Sequence, residues 1–94
     1  MSPRPAYNFK ATPQFWKRFY ALPPASKEAA RAAWQVFKMD PFSPRLGTHK
    51  IHSLSARAGQ TVYSVVLGPD LRAVFYIHDG TVWTFDIGTH FVYR

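Results

Sequence analysis

The sheet of this protein is predicted by residues 62–87, which have the sequence VYSVVLGPDLRAVFYIHDGTVWTFDI. Three apolar runs lie within it, at 62–67, 72–78 and 82–87. They are separated first by Gly68-Pro69-Asp70 and then by Asp79-Gly80. Apolar runs of this length are typical of strands, and Asp-Gly between two of them predicts a two-residue hairpin. We therefore expect a three-stranded antiparallel meander.

The last of these runs has an alternating pattern. Trp83, Phe85 and Ile87 alternate with Thr84 and Asp86. Alternation with period two indicates a strand with one buried face. The pattern predicts that the two aromatic residues and the isoleucine face the core.

The first half of the chain predicts a short strand and two helices. Residues 7–10 alternate between apolar and polar side chains, which favours a strand. Thr12, followed by proline, predicts the start of a helix that continues to Leu22. Ser26 is the expected cap of a second helix, which continues to about Met39. The order predicts an α+β domain in which both helices pack on one face of the sheet.

Residues 40–60 show no regular periodicity, so we expect a long loop there. Loops of this length in a small domain are usually functional or mobile. After Asp40 the segment contains no acid, and its basic or titratable residues are Arg45, His49, Lys50, His52 and Arg57. These side chains are candidates for holding phosphate groups.

Length and composition predict a single small domain. A chain of 94 residues has room for one core, and 47% of its residues are hydrophobic. The absence of cysteine excludes disulfides and thiolate chemistry and suits a reducing compartment. Neither an apolar run long enough to cross a membrane nor a signal-peptide core is visible. We therefore expect a cytoplasmic protein that does not contact membranes.

The charge balance predicts a polyanionic partner. Twelve Lys and Arg residues oppose five acids, which gives a formal net charge of +7. Such an excess on a small domain favours nucleic acid, the ribosome or an acidic protein. The basic residues are spread along the chain, so a basic folded surface is expected rather than a basic tail. The plain alternative is a basic protein whose charge only keeps it soluble.

The sequence offers little for a metal or a cofactor. His49 and His52 have a spacing that a metal pair can use, but no Cys, Asp or Glu lies nearby to complete a zinc site. The five acids are scattered, which disfavours a two-metal nuclease centre. No glycine-rich phosphate loop is present. We expect neither a metal nor a cofactor.

Basic side chains alone can cleave RNA, because its 2′-hydroxyl is a built-in nucleophile. A proton acceptor, a cation beside the phosphate and a proton donor at the leaving oxygen are sufficient. Arg72 begins the middle strand, and His90 follows the end of its antiparallel neighbour. The hairpin between these strands predicts that both residues lie at the same end of the sheet. The alternative for Arg72 is a partner acid or a purely solvent-facing role.

Three motifs follow one another in the second half of the chain. They are Val62-Tyr63-Ser64-Val65-Val66-Leu67, Asp70-Leu71-Arg72-Ala73-Val74 and Ile87-Gly88-Thr89-His90-x-x-Tyr93. In this order they resemble the RelE/ParE toxin superfamily. The final motif is similar to the end of RelE-type toxins, and the order of elements matches that fold along nearly the whole chain. The resemblance implies a toxin of a type II toxin–antitoxin pair that cleaves mRNA, usually on the ribosome, without metal. It also implies an antitoxin partner and possible contact with operator DNA through the antitoxin complex.

The resemblance also implies roles for individual residues. Arg72 matches the strand arginine that stabilises phosphate charge, and His90 matches the Arg or His that protonates the leaving group or contacts the phosphate. Tyr93 lies near a tyrosine that some members use as a general base, although the spacing here is shorter. The run from His49 to Ile51 resembles the His-Lys-Leu element that precedes the sheet. Expected RNA-binding residues are Arg45, Lys50, His52, Arg57 and Arg94.

One departure from the family bears on catalysis. Active relatives often carry Lys or His on the first strand of the meander, where this chain has Ser64 and Val66. Neither side chain can take a proton near neutral pH. Either His49, Lys50 or His52 supplies that group, or cleavage is weak or lost. The alternatives to a ribonuclease are a ParE-like inhibitor of DNA gyrase and a non-catalytic relative that binds antitoxin and regulates transcription.

Overall fold

A five-stranded sheet organises residues 7–89, the part of the chain that this computed structural model describes. Its strands are β1 (Asn8–Ala11), β2 (His49–Lys50), β3 (Tyr63–Gly68), β4 (Leu71–His78) and β5 (Thr81–Gly88). The helices are α1 (Pro13–Tyr20), α2 (Pro24–Phe37) and α3 (His52–Ala58), and a 3₁₀ helix spans Pro44–Leu46. The sheet order is β1-β5-β4-β3-β2. The predicted α+β class is confirmed.

The predicted meander is confirmed, with β4 antiparallel to both of its neighbours, β3 and β5. In the hairpin between β4 and β5, Asp79 and Gly80 have φ angles of 49° and 72°. Two successive left-handed residues are what a type I′ turn requires, and Asp-Gly provides them at low cost. Asp70, in the preceding turn, also has a positive φ of 53°.

The first strand pairs with the last one in the chain. β1 lies parallel to β5, with Phe9 opposite Val82. The Thr12 backbone N–H continues this contact by donating to the Thr84 carbonyl at 3.0 Å. The sequence predicted the strand but not its partner, because a parallel pairing over this distance leaves no local signal. The result is a mixed sheet with β1 and β2 at its edges and β5, β4 and β3 in its interior.

The start of the first helix agrees with its prediction, whereas that of the second does not. The Thr12 hydroxyl accepts a hydrogen bond from the Phe15 N–H at 3.3 Å and caps α1. α2 begins at Pro24, two residues before the predicted cap Ser26. Proline suits the first helical position because its φ is already helical and its missing N–H would have no partner there. Ser26 therefore lies inside the first turn.

The expectation of an irregular loop over residues 40–60 is wrong. The segment contains the 3₁₀ helix, β2 and α3. Each is too short for apolar periodicity to reveal it, and each is held by a local polar contact. The Ser43 hydroxyl accepts from the Arg45 N–H at 3.3 Å and starts the 3₁₀ helix. The Ser55 hydroxyl donates to the Ile51 carbonyl at 2.8 Å and accepts from the Val62 N–H at 2.9 Å, which fastens α3 to the start of β3.

The predicted buried face of β5 is confirmed for Ile87 and wrong for Trp83 and Phe85. Opposite β4, the register moves from Val74–Asp86 to Phe75–Thr84, so Phe85 is an extra residue in a β-bulge. A bulge reverses the alternation beyond it. Val82, Thr84 and Ile87 therefore face the core, at 0%, 3% and 1% exposure. The aromatic residues Trp83 and Phe85 are only half-buried, and they lie on the side of the sheet away from the helices.

Aromatic rings fill the space between α2 and the sheet. The Phe37 ring, 2% exposed, lies 5.1 Å from Phe75, 5.5 Å from Phe9 and 5.3 Å from Trp34, measured between centroids. These edge-to-face and tilted geometries are favourable for ring pairs. Phe37 therefore joins α2 to the edge strand β1 and to the interior strand β4.

Replacing Phe37 by alanine tests this role. A buried phenylalanine contributes through transfer from water and through filled volume, so Phe37→Ala should lower the free energy of unfolding by about 3–5 kcal/mol. Urea titration followed by circular dichroism measures the change. The matched control is Met39→Ala, since Met39 is 67% exposed and its loss should change stability by less than about 0.5 kcal/mol. Equal effects of the two substitutions would contradict the assignment.

Candidate nucleic-acid interface

The sheet surface opposite α1 and α2 brings together several of the residues singled out in the sequence. Cross-strand partners point to the same side of a sheet. His49 is opposite Ser64, and Val66 is opposite Arg72, which in turn is opposite Gly88. We call this surface, which carries these five residues, the open face. Its accessible residues are His49, Val66, Arg72 and Gly88, since Ser64 is fully buried. The neighbouring positions of β3 and β4 point the other way, into the core.

Arg72 is anchored through its guanidinium group. Its Nη1 donates to the carbonyl oxygens of Gly68 at 3.3 Å and Leu71 at 3.1 Å. No carboxylate within residues 7–89 forms an ion pair with it. A guanidinium carries five N–H donors, so donors remain after these backbone contacts. The arrangement holds a positive charge at the β3–β4 turn, where an anion can approach it.

His49 lies exposed on the edge strand β2. Its Nδ1 is 3.0 Å from the Gly47 carbonyl oxygen. Since a carbonyl only accepts, this contact requires the proton on Nδ1 and leaves Nε2 of the neutral ring as a proton acceptor. Strand spacing and rise put the Cα atoms of His49 and Arg72 roughly 12 Å apart. Two side chains of this length can approach one phosphate-sized group from opposite sides.

The residues between them, Ser64 and Val66, cannot exchange protons near neutral pH. Ser64 is fully buried, and its hydroxyl has no hydrogen-bond partner among the described residues. The backbone of Gly47, at φ 56°, passes close to Val66, and a Cβ there would lie 3.4 Å from Val66 Cγ2. At the open face, β3 therefore provides a neutral, closely packed floor.

The remaining basic residues of the 40–60 segment do not converge on this surface. Lys50 is paired with Tyr63, so its position belongs to the opposite side of the sheet from His49. Together with His52 it lines a shallow groove of about 350 Å³ beside α3. Arg45, on the 3₁₀ helix, and Arg57, on α3, are exposed. These cations surround the β2 edge rather than forming one cluster.

Three predicted site residues, His90, Tyr93 and Arg94, lie outside the described residues. The sequence predicts that His90 and Arg72 lie at the same end of the sheet, and the register of β5 against β4 is relevant to this prediction. Gly88, two positions before His90, is directly opposite Arg72. The end of β5 is therefore next to the arginine, as the hairpin geometry predicted.

Residues 7–89 contain no group of three His, Asp or Glu side chains arranged to hold a metal ion. No helix in that range has the length and apolarity needed to cross a membrane.

The sequence analysis did not single out Asp86 beyond its place in β5. It is 8% exposed, and its carboxylate accepts from the Ile87 N–H at 2.9 Å, contacts Arg18 Nε at 3.1 Å and accepts from Gln14 Nε2 at 3.3 Å. Burial raises the pKa of Asp86 and outweighs these three contacts, which lower it. Two features of the sequence could have indicated this contact. Asp86 is an acid inside an apolar strand, and Gln14 and Arg18, four residues apart, lie on the same face of α1.

Several solved structures of known proteins share the fold of this chain. No protein-family model and no curated protein matches the chain. Among solved structures, a chain of the archaeal RelE–RelB complex from Pyrococcus horikoshii has a TM-score of 0.68 at 18% identity, covering 89% of this chain and 94% of its own. YafQ from E. coli has a TM-score of 0.62 at 14% identity, covering 89% and 93%.

A third solved structure, the YoeB dimer from Staphylococcus aureus, has a TM-score of 0.62 at 16% identity, covering 90% of this chain and 98% of its own. These structural neighbours are RelE-like toxins. At such low identity the likeness establishes the architecture. This protein has the RelE-like toxin fold, as the sequence resemblance implied.

The pH dependence of stability tests the burial of Asp86. Its folded pKa is raised above 3.8, so the folded state binds the proton more tightly than the unfolded state. The stability that protonated Asp86 contributes is therefore lost as pH rises from about 4 through the folded-state pKa of Asp86. Asp86→Asn cannot ionise, so it does not lose this stability. The melting temperature of Asp86→Asn relative to that of the wild type should therefore increase as pH rises through this range. Scanning calorimetry at several pH values measures the difference.

The control for this measurement is Asp79→Asn, because Asp79 is an exposed acid. Its positive φ of 49° in the hairpin turn is also one that asparagine adopts readily. Its pH profile should follow that of the wild type. If the profiles of Asp86→Asn and the wild type were parallel, Asp86 would not be the buried titrating group.

Proposed function

We propose that the protein is the toxin of a type II toxin–antitoxin pair and that it cleaves mRNA on the ribosome without a metal ion. The observation that carries the proposal is the open face, where Arg72 and His49 lie on a sheet with the RelE-like fold. The net charge of +7 supports a nucleic-acid substrate, because phosphate contacts dominate such binding.

The proposed reaction is attack of the RNA 2′-hydroxyl on the adjacent phosphorus. His49 Nε2 takes the hydroxyl proton as the new O–P bond forms. Arg72 stabilises the extra negative charge on the phosphoryl oxygens, which is where an oriented cation is most effective. The bond to the 5′-oxygen then breaks, and that oxygen takes a proton. His90, assigned by sequence alone, is the candidate donor, and Tyr93, also assigned by sequence alone, is a second candidate for the proton acceptor.

The other basic residues would contribute binding rather than chemistry. Arg45, Lys50, His52 and Arg57 surround the β2 edge, and Arg94 is the remaining candidate. Cations spread in this way neutralise successive phosphates and leave sequence selection to other contacts. We expect each single replacement to weaken RNA binding moderately and to reduce its salt dependence.

The partners follow from the same proposal. One structural neighbour was solved as a RelE–RelB complex, so that neighbour binds a protein partner. For this chain we propose a cognate antitoxin, with operator DNA contacted through the toxin–antitoxin complex. A toxin that acts on mRNA and ribosomes would work in the cytoplasm.

A second candidate function is binding without cleavage, either as a DNA gyrase inhibitor of the ParE kind or as a transcriptional co-regulator. The observation that favours it is the neutral floor of the open face, where β3 offers only Ser64 and Val66. Expression in cells separates the candidates. Translation arrest supports the ribonuclease, DNA-damage signalling supports the gyrase inhibitor, and absence of toxicity supports the regulator.

A cleavage assay with four variants tests the mechanism. Primer extension on mRNA, with ribosomes and EDTA, should show discrete cuts by the wild type. Arg72→Ala should lose about a hundredfold or more in rate, because it removes the charge that stabilises the transition state. His49→Ala should lose a similar amount, because it removes the proton acceptor.

The matched controls are Lys38→Ala, an exposed cation at the end of α2, and His78→Ala, an exposed histidine at the end of β4. Both should cleave at the wild-type rate. Equal activity of all four variants would reject the assigned roles. The complete absence of cuts by folded wild type would reject the ribonuclease in favour of the binding candidates.

A further inference from the structure

On the other side of the sheet from the open face, a cleft of about 390 Å³ lies between α1 and α2. Phe15 and Phe19 of α1 form one wall, Ala30 and Trp34 of α2 form the other, and Ala73 of β4 lies on the floor. Its volume is in the range of small-molecule sites, and its lining is predominantly apolar. The open face and this cleft are therefore separate features of the protein.

The cleft contains a polar group whose bonding is incomplete. Thr84 lines it and is 3% exposed, and its hydroxyl has no hydrogen-bond partner among the described residues. The bulge at Phe85 is what keeps Thr84 on the core side together with Ile87. A buried hydroxyl without a partner is costly, and a ligand that hydrogen-bonds to it removes that cost.

The mouth of the cleft carries a positive charge. The guanidinium of Arg31, on α2, lies over the ring of Phe19, on α1, at 5.6 Å from its centroid. Arg31 is exposed, and it forms no ion pair with a carboxylate within residues 7–89. Two further aromatic residues of α1, Trp16 and Tyr20, are 45% and 66% exposed. A cation over an aromatic ring suits an anionic group attached to an apolar body.

The floor of the cleft distinguishes a small ligand from a docked protein helix. Val65, Ala73 and Ile87 are 1%, 3% and 1% exposed. A helix is about 10 Å wide and binds in an open groove, whereas a cleft of about 390 Å³ with a largely covered floor is of the size that small ligands occupy. It suits a flat ring or a short chain.

We propose that the cleft binds a small aromatic carboxylate. The ring occupies the apolar interior, the carboxylate pairs with Arg31, and an N–H or hydroxyl of the ring hydrogen-bonds to the Thr84 Oγ1. This site lies apart from the proposed RNA-cleaving face and does not depend on it.

Indoleacetate is a suitable probe because it combines a flat apolar ring, an N–H donor and a carboxylate. Titration of the full-length protein, followed by amide chemical shifts, should perturb Ala73, Thr84 and neighbours of Arg31. Neutral indole should perturb the interior with weaker affinity. Absence of these shifts at millimolar probe, with folded protein, would overturn the proposal.

Two variants test the assigned contacts. Thr84→Val keeps the shape and removes the hydroxyl, so it should weaken indoleacetate binding about fivefold while raising the melting temperature of the free protein. Arg31→Gln should weaken indoleacetate binding about tenfold and leave indole binding unchanged. Lys38→Gln is the charge-matched control and should bind both probes as the wild type does.

The remaining outcomes contradict the assignment. A lower melting temperature for Thr84→Val would mean that its hydroxyl already has a partner in the free protein. Equal loss of indole and indoleacetate in Arg31→Gln would mean that the arginine shapes the cleft instead of binding the carboxylate. Binding of an acidic apolar peptide at these residues, without binding of indoleacetate, would assign the cleft to a protein partner.

Discussion

The β-bulge at Phe85 determines which side chains each face of the sheet presents. Without the extra residue, Ile87 and Thr84 could not both face the helices, because they are three positions apart in one strand. The bulge also brings Gly88 opposite Arg72 and places Asp86 where α1 contacts it. Both the apolar cleft and the open face therefore depend on this single irregularity in β5.

The sequence predicted elements whose signals are local. The Asp79-Gly80 hairpin and the Thr12 cap are each specified by a few adjacent residues, and both predictions are confirmed. Ile87 faces the core as predicted, but Trp83 and Phe85 do not, because a bulge depends on pairing with β4 and does not interrupt the alternation in the sequence. The order of the three meander strands and the RelE-like architecture followed from motifs and their sequence spacing.

The candidate site could be predicted only in part for a similar reason. Strand positions placed Arg72 at the end of the sheet next to the end of β5, and the register agrees. The separation of His49 from Lys50 could not be anticipated, because neighbouring residues point to opposite sides only once a segment becomes a strand. A two-residue edge strand is too short to be recognised before its pairing is known.

The two sides of the sheet differ in chemistry, and that difference underlies the functional account. One side offers a guanidinium and an imidazole above a neutral floor, and the other offers an apolar cleft. The most direct test is an amide chemical-shift titration with single-stranded RNA carrying 2′-O-methyl groups, which binds but cannot be cleaved. The account predicts shifts concentrated at His49, Ser64, Val66 and Arg72, with α1 and α2 unaffected. Shifts confined to the helices, or none at all, would contradict it.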